Sequence, residues 1–94
     1  MPHELSPAQC RAARGLLDWS QEQLAQASGL SRSTVRDFES GRHDPHRGSI
    51  ALLLQTLADQ GVEPLSADQG QGEGVRFRAT GPHAGSPPIS VEKF

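Results

Sequence analysis

The side chains best suited to chemistry in this 94-residue chain are basic ones, concentrated between Ser31 and Ser49. Four arginines and two histidines stand there against three acidic residues: Arg32, Arg36, Arg42, Arg47, His43 and His46. A guanidinium donates two parallel hydrogen bonds to a phosphate or to N7 and O6 of guanine, so this segment can bind anions and read bases. The whole chain carries a net charge of −2. Any such binding must therefore depend on the local cluster and not on the overall charge.

Other kinds of reactive site have little support in the sequence. His43 and His46 are spaced like a pair of metal ligands, but Asp44-Pro45 between them is a turn signal and no third ligand follows at metal spacing. Cys10 is the single cysteine and falls on the apolar stripe of a helix, where a small core side chain is expected. We find no paired nucleophile and base and no glycine-rich phosphate loop after a strand. The sequence predicts no enzyme, no cofactor and no metal site.

The composition favours a small helical domain. With 34% hydrophobic residues, three Phe, one Trp and no Tyr, the core must consist of Leu, Ala, Ile and Val, which suit helix packing better than a β-sandwich. A single cysteine fits a reducing compartment. No apolar run approaches the roughly 18 residues of a membrane span, and the N-terminus lacks the pattern of a signal peptide. We therefore expect a cytoplasmic protein with no membrane contact.

Caps and apolar spacing predict four helices. Ser6-Pro7 predicts a helix start at 7–17, and Ser20 with Gln23 is a capping-box pattern ahead of a helix at 21–28. Gly29 ends that helix, and Ser31 is expected to cap a third helix at 32–40. The polar segment 42–48 is predicted to be an exposed loop. The most apolar stretch then forms a fourth helix at 49–60.

The rest of the chain is predicted to form a hairpin and a tail. Residues 62–65 and 75–78 have the composition of short strands, and residues 79–94 have the proline and glycine content of a flexible tail. We thus divide the chain into a helical domain at 1–61, a hairpin extension at 62–78 and a tail at 79–94. The predicted core is Leu17, Trp19, Leu24, Ala25, Leu30, Val35, Phe38, Ile50, Leu53 and Leu57.

Residues 21–41, QEQLAQASGLSRSTVRDFESG, have the spacing of two short helices joined by a glycine-containing turn. Over this stretch the sequence closely resembles the Cro and phage-repressor family of helix-turn-helix regulators, the Xre type, and the resemblance extends less strictly from Ser6 to Val62. The matching residues are Gln21, Leu24, Ala25, Gly29, Ser31, Val35, Glu39 and Gly41. The resemblance implies a mostly α-helical, compact repressor-like domain of four to five helices that binds DNA.

The resemblance also implies roles for individual residues. Arg14, on the inward stripe of the first helix, matches a family position that forms an ion pair with the position of Glu39. Base edges are expected to be read by Arg32, Ser33, Thr34, Arg36 and Asp37. Phosphates are expected to be bound by Gln21, Ser31, Arg42, His43, His46 and Arg47. Asp37 is a carboxylate near phosphates, so we expect it to accept from a cytosine amine or to hold a neighbouring arginine in place.

The leading functional hypothesis is a transcriptional regulator, and more specifically a repressor, that binds double-stranded DNA as a homodimer on a two-fold operator. A dimer reads two half-sites about one helical turn apart. We expect its contact in the hairpin or the fourth helix, where Leu52, like Leu16 on the first helix, falls off the apolar stripe. The alternative is an interaction adaptor or antitoxin that keeps the helix-turn-helix scaffold and binds a toxin or other protein through its tail. In either case the resemblance implies a bacterial or phage protein of the cytoplasm, located at the nucleoid if it binds DNA.

Overall fold

The computed structural model describes residues 5–41 and 46–79. These contain four helices, α1 (Pro7–Leu17), α2 (Gln21–Ser28), α3 (Arg32–Ser40) and α4 (Arg47–Asp59), followed by strands β1 (Val62–Leu65) and β2 (Gly74–Phe77). The predicted bounds of the first three helices and of β1 are confirmed. The predictions for α4 and β2 are wrong at their ends, because α4 spans 47–59 rather than 49–60 and β2 spans 74–77 rather than 75–78.

Serine caps and glycines set the bounds of the helices. Ser6 and Ser20 each close a capping box, in which the hydroxyl accepts from the N–H of a glutamine three residues later, Gln9 or Gln23, and the glutamine oxygen accepts from the serine N–H. Gly29 ends α2 at a φ of +83°, in the left-handed region that a residue without a Cβ adopts most easily. The turn to α3 is therefore short and its geometry is fixed.

The start of α4 corrects the predicted loop at 42–48. His46 is the N-cap and Arg47 the first helical residue, although the His46 side chain makes no capping hydrogen bond. Apolar spacing begins only at Ile50, so it carries no information about the exposed first turn. The N–H groups of a first turn have no intrahelical acceptor, and polar residues are accommodated there. Arg42 and His43 lie outside the described residues.

One apolar core joins the helices and the hairpin. Leu24, Val35 and Leu53 are completely buried, and Val62 of β1 is 1% exposed in the same cluster. The cluster also contains Leu5, Cys10, Ala13, Ala25, Phe38, Ile50 and Leu57. Because β1 contributes a side chain to this core, the helices depend on the hairpin for part of their packing.

Three predicted core residues lie at its edge instead. Leu17, Trp19 and Leu30 are only half-buried and pack against the cluster. Each is at the end of a helix or in the turn that follows, where the backbone itself approaches the surface. Leu16 and Leu52 are 39% and 46% exposed, as their positions off the apolar stripes predict. None of the described helices is both long and apolar enough to span a membrane.

The hairpin is antiparallel and is fixed to the start of α1. Its register pairs Val62 with Phe77 and Leu65 with Gly74. Gln9, 2% exposed, donates from Nε2 to the carbonyls of both Leu65 and Gly74 at 3.0 Å. One buried glutamine therefore closes the cap of α1 and binds the two strands at once.

Truncation of the core should be costly in a domain of this size. We expect Leu24→Ala to lower the free energy of unfolding by about 2–5 kcal/mol, the cost of removing buried methyl groups and leaving a cavity. Urea unfolding of the full chain measures it. Leu16→Ala is the matched control at an exposed position outside the expected dimer contact, where the expected change is within about 0.5 kcal/mol. Similar losses in the two variants would contradict the assignment of the core.

Candidate nucleic-acid interface

Helix α3 divides its residues between the core and the surface. Val35, Phe38 and Glu39 are buried, whereas Arg32, Ser33 and Arg36 are exposed. Thr34 and Asp37, the other two residues predicted to read bases, are half-buried. Since a helix rises 1.5 Å per residue, Arg32 and Arg36 stand one turn, about 6 Å, apart along the helix.

A cleft of about 420 Å³ separates the N-terminus of α2 from α3. Its lining comprises Arg14, Ser20, Gln21, Glu22, Arg32 and Arg36. Three arginines and the N-terminal end of a helix, which carries a partial positive charge, thus line one surface. This surface suits an anionic ligand, although Glu22 brings a negative charge into it.

Asp37 is beside a base-reading candidate. Its Oδ1 lies 3.6 Å from Nε of Arg36, and the two side chains are 38% and 57% exposed. An exposed pair of this kind contributes at most about 1 kcal/mol. Asp37 is therefore positioned to orient Arg36, one of its two predicted roles, while contact with a cytosine stays a prediction.

A buried carboxylate joins the three N-terminal helices. Glu39 of α3 is 2% exposed and accepts two hydrogen bonds of 2.8 Å from Nε and Nη2 of Arg14 on α1. Gln21, the first residue of α2, donates to the same carboxylate at 3.0 Å, and the Cys10 thiol donates at 3.1 Å. Arg11 also donates to the Glu39 carbonyl near the end of α3. We call Cys10, Arg14, Gln21 and Glu39 the Glu39 cluster.

The cluster keeps Glu39 ionised. Burial alone would raise the pKa of this carboxyl, but the hydrogen bonds from Arg14, Gln21 and Cys10 and the charge of Arg14 outweigh it and hold the pKa below its usual value. The hydrogen bond to Glu39 raises the pKa of Arg14. Burial, followed by the hydrogen bond to Glu39, raises the pKa of the Cys10 thiol, so this cysteine stays protonated and unreactive.

The described phosphate-binding candidates lie at helix N-termini. The side-chain amide of Gln21 donates to Glu39, and Gln21 is the first residue of α2 and lines the cleft. The Ser31 hydroxyl caps α3 by accepting from the Thr34 N–H at 3.1 Å. His46 and Arg47 are exposed at the start of α4. Their contacts with phosphate stay predictions, as do those of Arg42 and His43.

Sequence reasoning missed several parts of this arrangement. The capping box of Ser6 and Gln9 has the local signature S-x-x-Q and was open to prediction, but the bonds from Gln9 to the hairpin have no local signal. The bond from Gln21 to Glu39 joins residues 18 positions apart and leaves no periodic trace. Glu22 has no local signal that marks it as a site residue, because only the fold brings it into the cleft that contains Arg32.

Loss of the Glu39 charge should destabilise the fold and remove part of its pH dependence. We expect Glu39→Gln to cost about 3–5 kcal/mol, because Arg14 would keep a largely buried charge without a counterion. Glu63→Gln is the control, since it disrupts a surface pair with Arg76 and should cost at most about 1 kcal/mol.

The pH dependence has a definite sign. A carboxyl with a lowered pKa in the folded state stabilises the fold above its unfolded pKa of about 4.3, and this contribution is lost as the pH falls through the folded pKa. Urea unfolding between pH 7 and 3 should therefore show a smaller loss of stability in Glu39→Gln than in the wild type. Parallel profiles would rule out the lowered pKa.

Comparison with known proteins agrees with this geometry. The model of the helix-turn-helix family HTH_3 matches residues 11–58, just over half of the chain. Among solved structures, the chain is similar to the DNA-binding domain of the P22 C2 repressor, determined by nuclear magnetic resonance in solution. The TM-score is 0.52 and the identity 24%, over 62% of this chain and 76% of that domain. No curated protein gives a significant match.

The family match spans most of α1, all of the α2–turn–α3 unit and nearly all of α4. It includes every residue that lines the cleft and every member of the Glu39 cluster except Cys10. The likeness to the repressor domain, at 24% identity, supports the same fold. The chain belongs to the Xre/Cro-like helix-turn-helix family of DNA-binding regulators and not to a class of enzymes.

Proposed function

We propose that this protein is a sequence-specific transcriptional repressor that acts as a homodimer on a two-fold operator in double-stranded DNA. The main support for the proposal is that α3 has one buried face and one exposed face. Its buried residues anchor the helix in the core, while Arg32, Ser33 and Arg36 remain exposed. A helix presented in this way after a short turn is the element that helix-turn-helix proteins insert into the major groove.

The exposed residues of α3 have the chemistry of base recognition. Arg32 and Arg36 each present a fork of donors for guanine N7 and O6, and Ser33 bonds to either donors or acceptors. The Thr34 hydroxyl lies 2.8 Å from that of Ser31, so we expect its methyl group to contact a thymine methyl. Asp37 then orients Arg36 or accepts from a cytosine amine.

Phosphates are proposed to bind on either side of α3. The cleft at the start of α2 is lined by Gln21, the first residue of that helix, together with Arg14 and Arg36. The start of α4, with His46 and Arg47, forms a second helix N-terminus with exposed basic side chains. Ser31, Arg42 and His43 complete the proposed set, the last two outside the described residues. These contacts fix the register of α3 on the duplex without reading sequence.

Dimerisation is proposed to use the hairpin or α4, because the α2–α3 face is occupied by DNA. Two-stranded sheets have open edges, and α4 carries the exposed Leu52. The proposed division places a helical domain at 1–61, the hairpin at 62–78 and the tail at 79–94. Since Val62 belongs to the core, the dimer contact must be tested in the full chain and not in a fragment that ends at residue 61.

Sedimentation of the full chain tests the dimer. We expect Leu52→Glu or the charge reversal Arg76→Glu on the hairpin to weaken the dimer at least about tenfold, since a buried unpaired charge costs several kcal/mol. Leu16→Glu, at an exposed leucine of α1, is the matched control and should leave the dimer unchanged. A wild-type protein that remains monomeric at all concentrations without DNA would contradict the proposal.

DNA binding itself is tested by titration with salt. We expect the affinity for a random duplex to fall steeply as salt increases, because each phosphate contact releases counterions. Arg32→Ala and Arg36→Ala should each cost about 1–3 kcal/mol on a preferred duplex and relax the preference at one base position. Arg42→Ala should weaken preferred and random duplexes alike and lower the salt slope by about 1 per protomer.

Two results would contradict this assignment. Identical losses for the three variants, with unchanged sequence preference, would remove the distinction between base and phosphate contacts. Undetectable binding at low salt would favour the adaptor or antitoxin, with a toxin or other protein bound through the tail. Residues 80–94 of the tail lie outside the described residues, so this partner stays a prediction, as does a location in the cytoplasm of a bacterium.

A further inference from the structure

Glu22 introduces a negative charge into a cleft that it shares with Arg32, an arginine that is proposed to read bases. Glu22 is the second residue of α2 and Arg32 the first of α3, and both are exposed. They line the 420 Å³ cleft together and are the two residues that it shares with a neighbouring cleft of about 350 Å³. Ala25, Gln26 and Leu30 complete the second cleft. Glu22 and Arg32 therefore both lie where the two clefts meet, each in the first turn of its helix.

Neither Glu22 nor Arg32 forms an ion pair, with the other or with a third residue, in residues 5–41 and 46–79. Arg14 pairs with Glu39 and Arg36 lies beside Asp37, but no described ion pair includes Glu22 or Arg32. Arg14 and Arg36 thus each have a carboxylate in an ion pair, whereas Arg32 shares both clefts with Glu22, which comes from a different helix. The fold alone sets this juxtaposition.

We propose that Glu22 is a specificity-determining residue, whose carboxylate disfavours contact between Arg32 and phosphate and supports Arg32 when it reads a base. The inference rests on the proposed function. Glu22 is expected to change the ratio of the affinities for preferred and random DNA, and not only the overall affinity for DNA.

The reason lies in the two environments that Arg32 meets. On random DNA the guanidinium turns to a phosphate, which leaves Glu22 unpaired close to the anionic backbone and makes binding weaker. On the preferred duplex the guanidinium uses two of its five N–H groups on a guanine, and the remaining donors can bind the Glu22 carboxylate. The repulsion is then offset, so the carboxylate weakens random binding more than preferred binding.

Glu22 also has a structural role that the test must separate. A carboxylate in the first turn of a helix interacts favourably with the helix dipole, so its loss lowers stability slightly. That role changes the population of folded protein, which scales the affinities for both duplexes by the same factor. The ratio of the two affinities is the readout that stability alone leaves unchanged.

The test uses the full chain and a duplex selected from a random library with the wild-type protein. Dissociation constants are measured for this duplex and for a random one in the wild type, in Glu22→Gln and in the control Asp68→Asn. Asp68 is exposed in the hairpin loop, and its substitution changes the net charge by the same amount. We expect Glu22→Gln to tighten random binding about 3- to 10-fold and to reduce the specificity ratio at least about threefold. Asp68→Asn should leave the ratio unchanged.

A double-mutant cycle shows whether Glu22 acts through Arg32. In the Arg32→Ala background, Glu22→Gln should no longer change the specificity ratio. An unchanged ratio in Glu22→Gln itself, or the same change with and without Arg32, would overturn the inference. If the wild-type protein itself selects no preferred duplex, the proposed function is overturned as well. This result can be told apart from a failure of the inference alone, because it is seen in the wild type without any variant.

Discussion

The burial of one negative charge constrains how the three N-terminal helices are arranged. An ionised carboxylate is costly to remove from water unless donors replace the lost hydration, and Glu39 is 2% exposed. The donors come from Arg14 on α1, from Gln21 on α2 and from the Cys10 thiol. If α3 rotated about its axis or moved along α1, at least one of these bonds would break. The charge therefore acts mainly by fixing one relative position of the helices.

This constraint links the core to the proposed DNA-binding surface. Gln21 is both a member of the Glu39 cluster and the first residue of α2, so the helix end proposed to bind a phosphate is fixed to α3. Arg14 lines the cleft beside Arg32 and Arg36 while its guanidinium holds Glu39. A surface already ordered in this way loses little conformational entropy on binding. The small domain can thus hold the hydrogen-bond donors of α2 and α3 in a fixed geometry toward the bases and phosphates of DNA.

Local chemistry explains why much of the fold was predictable from the sequence. Ser20, Gly29 and Ser31 are residues whose capping and turn preferences act within three or four positions, and α2 and α3 have the predicted bounds. The start of α4 was not predictable in this way because the His46 side chain makes no cap. Leu30 and Trp19 are apolar, but composition does not show that a residue in a turn stays half-exposed.

The candidate site was predictable only in part. The exposed position of Arg36 follows from the spacing of the buried Val35 and Phe38. The pairing of Arg14 with Glu39 was inferred from a family resemblance, since the inward stripe of α1 shows only that Arg14 needs a partner. Gln9 binds a hairpin more than 50 residues away, and Glu22 shares a cleft with Arg32 across a turn. Such contacts depend on tertiary packing, which leaves no periodic signal in the sequence.

We propose that the Glu39 cluster holds α3 in the position from which its exposed residues contact DNA. Titration of the isotope-labelled full chain with its preferred duplex, followed by backbone amide NMR, tests this most directly. We predict the largest shift changes at Gln21, Glu22 and the first turn of α3, with the amides around Val75 unaffected by direct contact. Changes concentrated on the hairpin, with α3 unaffected, would contradict the account.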